Sequence, residues 1–530
     1  MPQITNQLEW LLQIFDKDYS RAVPPNVTKI KLSQLVSKLG FFYEKFRNAI
    51  DYNEEHLIRR NSLKRLLNRQ ILFLQENDAA KISQTLIYEF IRANYLPNDA
   101  LPESLIDDLG VLLNKYLSIL KAIAKTPLAY NNKIDAWLMD LAACEIDEYL
   151  FPREKDLAMV NFMYSETVAN MTFAKLQIEE KEKNLQIYLA VLRTLLQADP
   201  PLLRYRLLNL YYPAWTKMTD EEATVFAGAI EKLKAKIDKH LIHALGYQIT
   251  QTLKVQAVFY GILKQLIGDN SASGREIIAD QTALEIKISE ICLKNYKAIH
   301  SRLLGSIFRV IIYIFFTKTI LAFILELPYD RFFIGQVNWR ALAINVVFHP
   351  LLMSAIATTI KVPGEKNTKI IVNEIKKIVY GEKRQIVFKP RKLMRRGSAS
   401  YFIFNAFYLV MFLISFGIVI FALRQFRFNI VSGVLFIFFL TVVSFFGFRL
   451  RNFANQYLVI PRQDNLVNFL IDFFTLPIIR VGRFLSTNFA RINIFLYLLD
   501  FIIETPFKML IEILEKAVSF IKEKREEISE

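Results

Sequence analysis

The sequence is poor in the signatures of secreted, redox-active or nucleotide-using proteins. It has two cysteines in 530 residues. Cys144 and Cys292 cannot form a disulfide framework, and both fall in helical-looking stretches, so they are expected to be buried thiols in a reducing compartment. No Walker A loop, Rossmann fingerprint, GxSxG elbow or HExxH helix occurs. Those absences leave no expected cofactor and point away from an enzyme. Alternating strand patterns with hairpin dipeptides are missing, and no fixed repeat period argues for a solenoid. The first twenty residues, MPQITNQLEWLLQIFDKDYS, lack a basic leader and carry Glu9, Asp16 and Asp18. They do not read as a secretory signal, which predicts a cytoplasmic N-terminal part.

Charge and apolar residues are present in plenty, but unevenly. Residues 1–300 hold 37 Lys and Arg against 36 Asp and Glu, whereas residues 301–530 hold 30 against 15. Nearly all of the +16 formal charge therefore lies in the second part, beside the long apolar runs. Basic residues next to apolar spans point to anionic lipid and membrane orientation rather than to nucleic acid.

Residues 1–300 repeat apolar positions every three or four residues, as in LSQLVSKLGFFYEKFRNAI (32–50) and LIRRNSLKRLLNRQILFL (57–74). Turn residues punctuate them, and Thr219-Asp220-Glu221-Glu222 reads as a helix entry. The expectation is a large all-helical domain. After residue 300 the pattern changes. A bilayer core of roughly 30 Å needs about 20 helical residues. Four segments meet that length, about 303–327, 341–360, 401–423 and 429–448. The last two, linked by RQFRF, are expected to form a tight antiparallel hairpin. Residues 361–400 carry 12 basic and 3 acidic residues, which places that loop in the cytoplasm by the positive-inside rule. Counting spans returns the N-terminal domain to the same side. Residues 451–530 are read as interfacial or re-entrant amphipathic helices ending in a charged cytoplasmic tail.

Several residues invite chemistry. Lys318 lies nine residues after Arg309 and eight before Glu326 in an apolar run. If those two mark the interfaces, Lys318 is close to midplane, where a charge costs about 2.5–3.5 kcal/mol and should face protein or water. It either snorkels or serves a substrate or proton relay with Asn345 and His349 of the next span. His349-Pro350 would kink that span at mid-depth, as transporters do around binding sites. Lys389, Arg391, Lys392, Arg395 and Arg396, with Arg480, Arg483 and Arg491, are candidate grips for anionic head groups. His240 and His243 stand one turn apart, and a satisfied surface pair is expected rather than a metal site. Glu145, Asp147 and Glu148, in CEIDEYLFPREKD, are expected on a solvated helix face.

The tail TLPIIRVGRFLSTNFARINIFLYLLDFIIETPFKMLIEILEKAVSFIKEKREEI (475–528) resembles the C-terminal region of uncharacterised multi-pass membrane proteins predicted from uncultured small-genome bacteria. The resemblance implies a bacterial membrane protein and carries over no site residue. The expected whole is all-α, a soluble helical domain (1–300) followed by a polytopic membrane domain (301–450) in the inner membrane. Its favoured role is a scaffold whose cytoplasmic domain binds a protein partner while basic segments hold anionic lipid. A transporter or channel using Lys318, Asn345 and His349 is the alternative, and a membrane-associated enzyme the third.

Overall fold

The computed structural model describes residues 5–17, 27–32, 55–126, 131–173, 178–269, 274–390, 399–460 and 465–491, with positions 513, 517, 520 and 521 beyond. The fold is all-helical. Among the described residues the strands are β1 (Met171–Phe173) and β2 (Ile386–Phe388), a parallel pair with Phe173 opposite Phe388. Two compact units form. One is built mainly from Gln13–Ala169 and Lys175–Leu253, the other mainly from Lys254–Ile494 with Met1–Leu12 and Asn170–Ala174.

After α1 (Asn6–Asp16), the first unit comprises α2 (Glu55–Leu67), α3 (Ala79–Arg92), α4 (Ser104–Ile123) and α5 (Asn132–Leu150). It continues with α6 (Glu154–Asn170), α7 (Glu180–Leu195), α8 (Pro200–Tyr211) and α9 (Asp220–Leu241). Helix starts follow their capping residues. Asp78 accepts from the Ala80 and Lys81 amides, and Asp199 caps α8 ahead of Pro200. Thr219 and Glu222 close a full capping box at the start of α9, the entry that the sequence predicts there. Helix α5 is the central element, packed by α2, α4 and α8 and buried without a break from Leu141 to Asp147.

That burial overturns the expectation of a solvated acidic face. Glu145 and Asp147 are 4 % and 2 % exposed. Each carboxylate has a cation from another segment: Lys115 on Glu145 at 2.6 Å, Arg59 and Arg153 on Asp147 at 2.6 and 2.9 Å, and Arg206 on Glu148. Buried charges persist when they are paired and hydrogen-bonded, and here they are. His240 is satisfied by the Tyr211 hydroxyl at 2.8 Å and by Glu182 at 3.0 Å. Cys144 and Cys292 are buried and free.

The second unit begins within α10 (Ala244–Asp269) and adds α11 (Gly274–Ala279). Helix α12 (Gln281–Leu321) follows, extended to Ile334 by two π turns, Ala322–Glu326 and Asp330–Ile334, around a short α turn. Then come α13 (Trp339–Thr358), α14 (Glu365–Val379), α15 (Ala399–Gln425), α16 (Ile430–Ala454) and α17 (Leu466–Arg491). Residue 300, where the composition changes, falls inside α12.

Among the described residues, four helical segments are long and apolar enough to cross a membrane: Gln281–Ile334, Trp339–Thr358, Tyr401–Gln425 and Ile430–Ala454. Only 17 % of the most apolar stretch of the third is buried within the protein. Phe402, Phe404, Phe407 and Leu413 lie bare along it. An apolar surface of that extent needs lipid or a partner rather than water.

Helices α12, α13 and α16 pack together, and α17 lies along α16. The expected tight hairpin of α15 and α16 is modified. The two meet near their link, through Leu423, Phe436 and Leu440, but α15 packs more extensively on α17 than on α16. From sequence, 466–480 reads as a segment short for a span and 484–511 as a separate, longer one; the first and the start of the second, as far as Arg491, form one helix through Pro477 and Gly482, and the rest of the second lies outside the described residues. Helix α17 carries Asp472, Arg480 and Arg483 and is not among the four apolar spans.

Candidate functional site

The site forms where α12, α13 and α16 meet. Their sequences are apolar on nearly every side, so a polar side chain at the three-helix seam finds its partners in the facing helices or in carbonyls of its own helix. Lys318, Glu326, Asn345 and His349 are all fully buried, and Ser432 is 3 % exposed.

Asn345 is the hub. Its side-chain carbonyl accepts from the Lys318 ammonium, and its amide nitrogen donates to Glu326. The other Glu326 oxygen accepts from the Ser432 hydroxyl at 2.9 Å. Lys318 also lies 4.7 Å from the centre of the Phe439 ring, close enough for a cation–π contact. The cation and the carboxylate are therefore held apart by one amide that is complementary to both.

His349 sits one turn along α13. Its Nδ1 is 3.1 Å from the Asn345 carbonyl oxygen and its Nε2 is 3.0 Å from that of Phe436. Both neighbours are acceptors. A neutral imidazole donates to one of them and a protonated ring to both. Pro350 follows within the helix, and it has no N–H to give to the carbonyl four residues back, that of Val346. Phe436 and Phe439 pack edge-on against the imidazole, with centroids at 4.7 and 5.8 Å.

Lys318, Asn345 and His349, singled out from sequence, are thus brought together. Glu326 was treated there as a marker of the interface, and that is corrected: it is inside the bundle. The reason is the π turn over Ala322–Glu326. Eight residues of regular α-helix advance ~80° beyond two full turns, which would turn Glu326 away from Lys318. A π turn absorbs about one residue, so Glu326 lies as an i+7 neighbour on the same face. Ser432 was not singled out, and its place three residues after the Asn429 cap is the signal that could have found it.

A second polar cluster lies at the end of the bundle where α12 gives way to α13 and α15 to α16. Asp330, 3 % exposed, accepts from the Asn429 side chain and from the Asn338 amide at 3.3 Å. Asn338 and Asn429 cap α13 and α16, so the N-cap residues of two helices both donate to this carboxylate. Asn338 also donates to the Arg427 carbonyl at 3.1 Å, and Arg427 takes a left-handed φ of 53° in the link.

Lys389 is exposed after β2, and Arg480 and Arg483 are exposed on α17, Arg480 lying over the Tyr408 ring at 4.9 Å. Arg391, Lys392, Arg395 and Arg396 lie outside the described residues, and Arg491 is the last residue of α17. Part of the loop's charge is neutralised locally. Lys376 pairs with Glu285 at 2.6 Å, Lys377 with Glu374 at 2.7 Å, and Arg384 contacts Glu374 at 3.4 Å.

No protein-family model, curated protein or solved structure matches this chain.

Proposed function

We propose that the chain is an integral membrane protein that moves protons, alone or coupled to a solute, through the three-helix seam of α12, α13 and α16. One observation carries this reading: Lys318 and Glu326 are completely buried mid-helix and joined through Asn345. Ionisable residues inside a membrane are costly and mark proton relays or substrate paths by default. Helix α13 contains a proline at the same depth, which gives the seam a place to bend.

Lys318 and Glu326 are the proton-holding groups in this reading, and His349 is a third that can gain a proton without losing either hydrogen-bond neighbour. The test is flux into liposomes holding the purified protein and a pH-sensitive dye, under an imposed potential. Lys318→Met and Glu326→Gln are each expected to cut proton entry at least tenfold while leaving insertion and elution behaviour intact. Wild-type flux no greater than that of empty liposomes sinks the reading.

A scaffold role is the second reading. It is favoured by the size of the first unit, which has its own core around Tyr116, Trp137 and Trp215. A stoichiometric protein that co-purifies with the full chain and is lost with residues 13–253 would support it.

A further inference from the structure

Polar and apolar side chains divide the seam by depth. From Lys318 the hydrogen bonds run to Asn345, Glu326 and Ser432, and the Ser432 amide donates to Asn429 Oδ1 at 2.7 Å. Asn429 then donates to Asp330, which accepts from Asn338. This chain of contacts ends at the Gly335–Asn338 and Phe426–Asn429 links. Toward the opposite end the same three helices are filled by Leu303, Ile307, Ile314, Met353, Val443 and Ala454. Ser354 and Thr358, in that half, turn back to carbonyls of their own helix.

We infer that the buried site is served from one side only: a half-path for protons opens at Asp330, and the apolar cluster seals the other half. The inference rests on the reading of the seam as a proton site and adds its direction and its mouth. A proton taken up by the Asp330 carboxylate passes to the Glu326 carboxylate through water that enters the opened mouth, which leaves Asp330 charged again; the amides of Asn429 and Ser432 hold the two ends in place and carry no proton, so only O–H bonds form and break. Asn429 and Asn338 hold Asp330 closed, so release of those two contacts opens the mouth. The charged residues in and beside the two links are Arg331 and Arg340 at the first and Arg424 and Arg427 at the second, all exposed.

Accessibility tests this without a flux assay. In full-length protein carrying Cys144→Ala and Cys292→Ala, a single cysteine is placed at Ser432, and in separate chains at Val443 and Met353. A membrane-impermeant thiol reagent is added to either face of proteoliposomes. Ser432→Cys is expected to react at least tenfold faster from the Asn338 face than from the other, and at least tenfold faster than Val443→Cys or Met353→Cys from either face. Equal rates from both faces, or faster reaction at Val443 or Met353, overturn the inference. So does no reaction at Ser432 in a chain that elutes as the parent does.

A second measurement needs no substitution. A water-soluble carbodiimide is applied to each face of the native chain, with mass spectrometry of the peptides bearing Asp330 and Glu326. Modification from the Asn338 face is expected, and modification from the opposite face alone contradicts the half-path. Because neither experiment reads flux, one-sided labelling with no proton entry would retire the proposed function and keep the geometry. Flux with two-sided labelling would do the reverse.

Discussion

At the scale of the residue, both units bury charge, and they handle it differently. In the first unit Glu145 accepts from the Tyr116 hydroxyl at 2.6 Å, from the Trp215 indole at 2.7 Å and from Lys115 at 2.6 Å. Burial pushes the Lys115 amine below its ordinary 10.5, and Glu145 pulls it partly back. Glu145→Gln would leave that cation buried without its counter-charge, a loss of about 3–5 kcal/mol. It should appear as a lower urea midpoint in detergent. The double variant Lys115→Met/Glu145→Leu is expected to lose less than the single one, because no charge remains to be desolvated. Equal stability of Glu145→Gln and wild type would refute this account.

The surface carboxylates behave in the opposite sense. Burial alone would raise Glu182, but the hydrogen bonds from Gln186 and His240 outweigh it and hold its pKa below the ordinary 4.5. Asp238, likewise raised by burial, is held below 3.8 by Lys234 and Arg204. A depressed carboxylate adds stability that is complete above the unfolded pKa and is lost as pH falls through the folded one. Acid melting of Asp238→Asn should therefore be less steep below pH 4 than that of the parent, as a thermal scan at pH 7 and pH 3 would reveal.

At the scale of the element, the apolar spans and the capped helix starts were legible because each rests on local sequence: length, hydropathy and one capping residue. What was not legible depended on neighbours. The acidic run of α5 looks solvated until Arg59, Lys115, Arg153 and Arg206 are brought to it by other segments. Glu326 looks interfacial unless the π turn before it is known, and no residue in AFILE announces that turn. The single helix α17 was hidden by Pro477, which an isolated amphipathic segment would not carry unbroken.

Gly482 shows what neighbours do to α17. A Cβ at this position would meet the Thr441 carbonyl oxygen of α16 at 2.0 Å and the Phe445 side chain at 2.9 Å. Small residues let membrane helices approach so closely, and a larger one forces the backbones apart. Gly482→Val is expected to cost about 1–3 kcal/mol, in the range of overpacked cores. It should lower the melting temperature in detergent. Gly417→Val, with nothing within 4 Å of its Cβ, is the control that should leave it unchanged.

At the scale of the whole molecule, orientation is the property that the sequence argues and that the fold makes checkable. The net positive loop 361–400 follows one end of the bundle, and the Gly335–Asn338 and Phe426–Asn429 links stand at the other. If the basic end faces the cytoplasm, as loop charge favours, the Asp330 mouth opens to the outside. Local ion pairs at Lys376, Lys377 and Arg384 reduce the charge free to act on lipid, so exposed residues such as Lys389 carry the bias. Lys389→Cys, in the chain freed of its native cysteines, is expected to react with an impermeant thiol reagent in inside-out vesicles and not in right-side-out ones. A cysteine at Arg427, in the opposite link, should give the mirror result. Reaction of both from one face would mean that α15, the one span between them, does not cross, and would reduce the count of spans. Reversal of both would keep the count but turn the mouth at Asp330 inward, so that the same buried relay would draw protons from the cytoplasm.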